Sequence, residues 1–274
     1  MMILIDGEPA AVIPADDRGF AYGDGVFRTL AMRHGVPEMW PRQIAKLTAD
    51  CRALDLALPS ESALREDVRR IAAGMPDCAV RITITRGSGG RGYVMPEPAQ
   101  SRRVVAASVL PEYPVAYSQQ GVQARFCTLR LAAQPRLAGI KHLNRLENVL
   151  ARAEWHDPAI AEGLMLDTSG NVIAGTRSNI FIAENGALVT PDLSGCGVAG
   201  VTRDLVLECA ARHGVDCRVE SVSRARLEAA NEVFLLNSLM GVWPIAVLGQ
   251  YTWSDFVLTP LVRKWLHALR NPSN

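Results

Sequence analysis

Runs of β-forming residues and runs of helical periodicity follow one another irregularly along this chain, and that irregularity is the strongest constraint on its fold. Residues 2–5 and 26–32 read as strands, with Gly23-Asp24-Gly25 as a turn before the second and residues 34–37 as a hairpin turn after it. Ile44, Leu47, Cys51 and Leu54 then recur at spacings of three and four behind Pro41, which suits a helix's first turn. A second helix is expected over about 61–73, on Leu64, Val68 and Ile71, before residues 80–85 and 104–110 return to strand character. A Rossmann sheet needs strict βαβ alternation. Its absence points to two α+β halves.

The break between the halves is expected at 112–120, within a 111–121 stretch whose two prolines and Ser-Gln-Gln-Gly run mark a linker. Domains are therefore expected at 1–111 and 121–274. In the second, strands are expected at 122–129, 163–167, 172–174, 180–183, 217 and 232–236, and helices near 144–155, 202–213 and 255–269.

Charge and composition narrow the function classes. Lys and Arg number 29 against 28 Asp and Glu, so no net basic field argues for nucleic acid or a membrane surface. No apolar run nears the roughly 20 residues of a membrane span. The first residues meet Asp6 too early for a signal peptide, so a cytoplasmic protein is expected. Six cysteines and five histidines lie scattered, with no Cys-x-x-Cys pair, which gives no metal site and no disulfide framework.

Only three lysines occur, so an enzyme with an amine nucleophile has a short list. Lys264 sits in a terminal amphipathic helix and reads as solvated. Lys46 lies between Ile44 and Leu47 on a helix with an exposed face. Lys141, in a largely uncharged approach to a helix, is either a partly desolvated amine with a lowered pKa or a lysine that merely snorkels. The Gly-rich segment 85–93 has no phosphate-loop ending. It is a flexible turn, or a turn whose Arg86 and Arg91 bind carboxylates. Residues 195–203 lead into a helix capped at Thr202, and are an ordinary capped start or an anion site.

Taken together, Gly175-Thr176-Arg177-Ser178-Asn179-Ile180-Phe181, then Leu188-Val189-Thr190, then Val198-Ala199-Gly200-Val201-Thr202-Arg203 resemble in order and spacing the signature of the fold type IV pyridoxal-phosphate enzymes. That group holds branched-chain and D-amino-acid aminotransferases and aminodeoxychorismate lyases. Within it, residues 137–147 (Leu-Ala-Gly-Ile-Lys-His-Leu-Asn-Arg-Leu-Glu), 86–93 and 22–27 resemble the lyases. The matches run from about Asp16 to Pro244.

The resemblance implies a two-domain α+β fold with the site between the domains, pyridoxal 5'-phosphate as cofactor, and a homodimer. It implies a lyase that removes pyruvate from 4-amino-4-deoxychorismate, leaving 4-aminobenzoate for folate biosynthesis. The cofactor lysine falls on Lys141. Phosphate contacts fall on the Val201 and Thr202 amides and on Ser238, Asn179 matches a cofactor-site asparagine, and Lys46 stands where the family has an arginine. Lysine keeps that charge and loses the bidentate fork. Arg91 and Arg28 are the candidates for the substrate's carboxylates. The family's glutamate for the pyridine nitrogen is replaced by Ala174, which weakens the ring as an electron sink. The alternatives implied are an aminotransferase of the same fold, or a non-catalytic or altered homologue.

Overall fold

In a computed structural model describing residues 2–270, the chain forms two compact units. One comprises the chain up to Pro111 together with Ile140–Asn144. The other comprises Glu112–Gly139 and the chain from Arg145 onward.

In chain order the first unit contains β1 (Ile3–Ile5), β2 (Glu8–Pro9), α1 (Arg18–Tyr22), β3 (Gly25–Arg33), β4 (Val36–Pro37), α2 (Trp40–Ala53), α3 (Glu61–Ala72), β5 (Cys78–Thr85) and β6 (Arg102–Val109). Its antiparallel sheet runs β2-β1-β6-β5-β3-β4. β3 and β5 are buried along most of their length, and α2 and α3 close one core over them with Ile44, Leu47, Cys51, Leu64, Val68 and Ile71. The three-and-four spacing thus has its expected outcome, since it puts those side chains on one helix face. α1, which the sequence reading missed, is a five-residue turn of helix capped by Asp17 and ended by Gly23 at φ 66°. Gly23 is required there twice over. A Cβ on it would lie 2.4 Å from Asn144 Oδ1, and left-handed φ disfavours any side chain.

The second unit contains α4 (Val115–Gln119), β7 (Val122–Leu131), α5 (Leu146–Arg152), β8 (Ile160–Asp167), β9 (Val172–Gly175), β10 (Asn179–Glu184), β11 (Ala187–Pro191), α6 (Val201–Arg212), β12 (Cys217–Glu220), α7 (Arg224–Glu228), β13 (Glu232–Asn237), β14 (Gly241–Leu248), β15 (Tyr251–Thr252) and α8 (Leu258–Arg270). Its mixed sheet runs β12-β11-β10-β13-β14-β7-β8-β9, with β15 on β14. The β11–β12, β14–β7 and β7–β8 pairs are parallel. No helix among the described residues is long and apolar enough to cross a membrane.

Two segments depart from the expected division. The 112–120 stretch, expected as a linker, carries α4, because Tyr113 and Tyr117 pack edge-on to Trp243 with centroids 4.7 and 5.0 Å away. Residues 140–144, expected in the C-terminal domain, belong to the first unit, whose core includes Ile140.

Candidate active site

Lys141 is held by the start of β3. The Phe27 N–H donates to the Lys141 carbonyl at 3.0 Å, the Leu143 N–H donates to the Gly25 carbonyl at 2.9 Å, and Val26 and His142 form an antiparallel bridge. The Lys141 N–H donates to Asp50 Oδ2 at 3.2 Å. Its own N–H and C=O are therefore both engaged. The ammonium lies 4.6 Å from the Phe27 ring centroid, where the ring face attracts a cation.

Asp50 is the residue the sequence reading missed. It lies on the buried face of α2, 1% exposed, and an ionised carboxylate survives there only with strong partners. Those partners are Lys46, whose Nζ lies 3.1 Å from Oδ1 one helical turn away, and Arg28 on β3, which donates to Oδ2. The visible signal was a carboxylate between Leu47 and Cys51 on the apolar face, four residues after Lys46. The same contact places Arg28. Expected to meet a substrate carboxylate, it is 3% exposed and already carries a carboxylate of the chain itself.

Burial disfavours the thiolate of the buried cysteines. Burial, then the Asp50 charge, pushes the Cys51 thiol up to about 12, and burial likewise puts Cys127 at about 12. These stay protonated at neutral pH. Lys264 is exposed on α8.

The two arginines of the Gly-rich segment have different fates. Arg86 is buried, donating to both oxygens of Asp24 at 2.8 and 3.0 Å and to the Leu54 and Asp55 carbonyls. Arg18 joins the same carboxylate at 3.0 Å and reaches the Gly92 and Val94 carbonyls at 3.0 and 3.3 Å. Burial works to raise the Asp24 carboxyl, but the bonds and charges of Arg86 and Arg18 outweigh it and hold it below its ordinary value. Arg91 stays exposed on the same loop.

In the second unit, α6 begins with Gly200 as N-cap and no side chain capping it. Asn179, 7% exposed, fixes this start: its Nδ2 donates to the Val198 carbonyl at 2.8 Å and its Oδ1 accepts the Gly200 N–H at 3.1 Å. Gly200 is needed for that closeness, because a Cβ would lie 2.4 Å from Asn179 Oδ1. Thr202 Oγ1 and Ser238 Oγ, on α6 and just past β13, stand 3.5 Å apart. An uncapped helix start beside a hydroxyl pair suits an anion with several oxygens.

Ala174 is buried on β9, paired with Met165 in an apolar cluster with Cys127, Leu131, Trp155, Leu193 and Cys196. Burial raises the Cys196 thiol to about 11, so it too stays neutral. A carboxylate does lie nearby in the chain, and it is occupied. Buried Glu162 takes the Gly163 and Thr176 N–H groups at 3.0 and 3.1 Å, the Thr176 hydroxyl, and the Ser178 hydroxyl at 3.0 Å. It fixes the turn at 175–178.

Residues 25–248 match the family described as amino-transferase class IV. The chain belongs to that family. Its members depend on pyridoxal phosphate. The chain is similar to the aminodeoxychorismate lyase of Vibrio harveyi, at 33% identity over 96% of this chain and 97% of that protein. The crystal structure of 4-amino-4-deoxychorismate lyase from Pseudomonas aeruginosa superposes with a TM-score of 0.93, at 46% identity over 97% of this chain and 98% of the other. A putative branched-chain-amino-acid aminotransferase of Methanocaldococcus jannaschii is 28% identical over 89% of this chain and 87% of its own. The α+β, two-unit architecture is thus that of the class IV family.

The family's cofactor can be tested against the residues present. The uncapped α6 start and the Thr202–Ser238 hydroxyls fit a phosphate, and a backbone-anchored lysine fits an aldehyde. Ala174, which the resemblance sets where the family has a glutamate, lies in an apolar cluster.

Proposed function

We propose that this class IV chain is a pyridoxal-phosphate-dependent lyase acting on 4-amino-4-deoxychorismate, releasing pyruvate and leaving 4-aminobenzoate for folate biosynthesis. The observation that carries the reading is Lys141, one of three lysines, with its peptide group tied to Asp50 and Phe27. The 46% identity to a solved lyase, against 28% to the aminotransferase relative, supports the choice of lyase.

In this reading Lys141 holds the cofactor's aldehyde. The Val201 and Thr202 amides, the Ser238 hydroxyl and the Lys46 ammonium hold its phosphate, and Asn179 keeps the start of α6 in place. Bound, pyridoxal phosphate supplies a carbonyl that joins an amine and a ring that draws electrons from the neighbouring carbon. With that group bound, Lys141 Nζ would act as the base. It takes the proton from the amine-bearing ring carbon of the substrate and returns one to the departing enolpyruvate. Arg91, exposed on its loop, pairs with a substrate carboxylate. Ala174 favours elimination over transamination, since loss of pyruvate creates an aromatic ring and asks less of the cofactor. A homodimer in the cytoplasm completes the reading.

The test is an absorption spectrum with added pyridoxal phosphate, before and after borohydride, with peptide mapping and a pyruvate assay. A reducible band fixed on Lys141, and pyruvate from 4-amino-4-deoxychorismate, are the expected results. Lys141→Ala should lower pyruvate release by roughly 1,000-fold or more. Near-full release by that variant would overturn the assignment. The second reading, a D-amino-acid or branched-chain aminotransferase, rests on the aminotransferase relatives and requires the cofactor to pass to its amine form with amino acids.

A further inference from the structure

The first unit gives one buried carboxylate contact with both lysines that the proposed chemistry uses. Asp50 Oδ1 accepts from the Lys46 ammonium at 3.1 Å, and Oδ2 accepts the backbone N–H of Lys141 at 3.2 Å and the Arg28 guanidinium. Asp50 is 1% exposed, and Arg28 is 3% exposed. A charge this deep does not wander between partners, because leaving any of them would strand it away from water. Residues 46 and 141 are far apart in sequence and are brought to one atom group by the packing of α2 against β3 and of residues 140–144 along β3.

A catalytic amine has to be presented within a narrow range of positions, and an anchored backbone is how a long, flexible lysine side chain achieves that. Phe27 anchors the carbonyl of Lys141, and Asp50 anchors the N–H. We propose that Asp50 is a positioning residue for Lys141: its carboxylate fixes the Lys141 peptide group, while its ion pairs with Arg28 and Lys46 fix the carboxylate. The catalytic part of this inference rests on the lyase reading given above. The anchoring part does not.

Asp50→Ala alone would leave Arg28 charged and buried, so the comparison is made between two variants that lose both buried charges and keep the half-buried Lys46 alike, Arg28→Met/Asp50→Asn and Arg28→Met/Asp50→Ala. Asparagine keeps an oxygen that can accept the Lys141 N–H, and alanine does not. Three quantities are read on the full-length protein: hydrogen exchange of the Lys141 amide without cofactor, the melting temperature, and kcat and KM for pyruvate release at saturating pyridoxal phosphate. The alanine variant should exchange the Lys141 amide at least tenfold faster than the asparagine variant. Its kcat should fall at least tenfold further, with KM within threefold and both variants melting together. Equal exchange and equal kcat in the two variants would overturn the proposal, as would a difference confined to KM. If the wild-type protein neither reacts with pyridoxal phosphate nor releases pyruvate, the lyase reading fails. Equal amide exchange would then still overturn the anchor, and a tenfold difference would sustain it.

Discussion

The lysine corner of the first unit and the hydroxyl-and-amide start of α6 in the second are built from opposite materials. The corner is a cluster of full charges, Arg28 and Lys46 about a buried Asp50, which also takes the Lys141 backbone N–H. At the helix start the described ligand-facing candidates are uncharged, namely Thr202, Ser238 and the amide of Asn179, while Arg203 and Asp204 of the first turn pair with each other at 3.6 Å. Charges in a core hold position strongly because breaking one contact strands the others. Neutral dipoles hold position weakly and leave their hydrogen-bonding capacity for a guest. Stability and ligand affinity should therefore separate between the two regions.

The largest break in that separation is expected at Arg28. Arg28→Ala removes one arm of the buried cluster and should cost about 3 kcal/mol of unfolding free energy in urea titration. A loss under 1 kcal/mol would mean that Lys46 alone satisfies Asp50. Thr202→Val is the counterpart in the neutral region. It should leave the urea midpoint nearly unchanged while raising the Kd for pyridoxal phosphate about tenfold, the effect of one hydrogen bond to a charged group. An unfolding loss as large as that of Arg28→Ala would erase the contrast.

The smallest effect concerns Asp24, the other charged cluster of the first unit. Its folded pKa lies below the ordinary 3.8, so its ion pairs with Arg86 and Arg18 contribute stability above that value and lose it as pH falls through the folded one. Arg86→Met should therefore flatten the fall in melting temperature between about pH 5 and pH 2 relative to the wild type. An unchanged slope would assign the acid sensitivity elsewhere.

Much of this was readable in the sequence where the signal is periodic. α2, α3, α6 and the buried strands β3 and β5 follow from apolar spacing, because the packing that stabilises them is the same packing that spaces the residues. β14 is absent from the expected strands; it carries Pro244 in its interior, and Gly241–Leu248 pairs with both β13 and β7. The short helices α1, α4 and α7 carry too few residues for a period to emerge. Among site residues, Lys141, Lys46 and Asn179 stood out by rarity or by resemblance. Asp50 and Glu162 did not, because each looks like an ordinary acid until the fold buries it and supplies donors from distant segments. The Arg28–Asp50 pair was hidden for the same reason: a lone sequence cannot show that an arginine already has a carboxylate.

The placement of Ile140–Asn144 in the first unit bears on how the chain comes off the ribosome. Ile140, and the pairing of residues 141–143 with the start of β3, arrive only after β7 has been made, well over a hundred residues behind β3 itself. Until then the nascent first unit presents an incomplete core and an open strand edge at Gly25–Phe27. The lysine that the proposed chemistry uses is also among the last pieces to enter that unit, so a chain that halts early lacks it altogether.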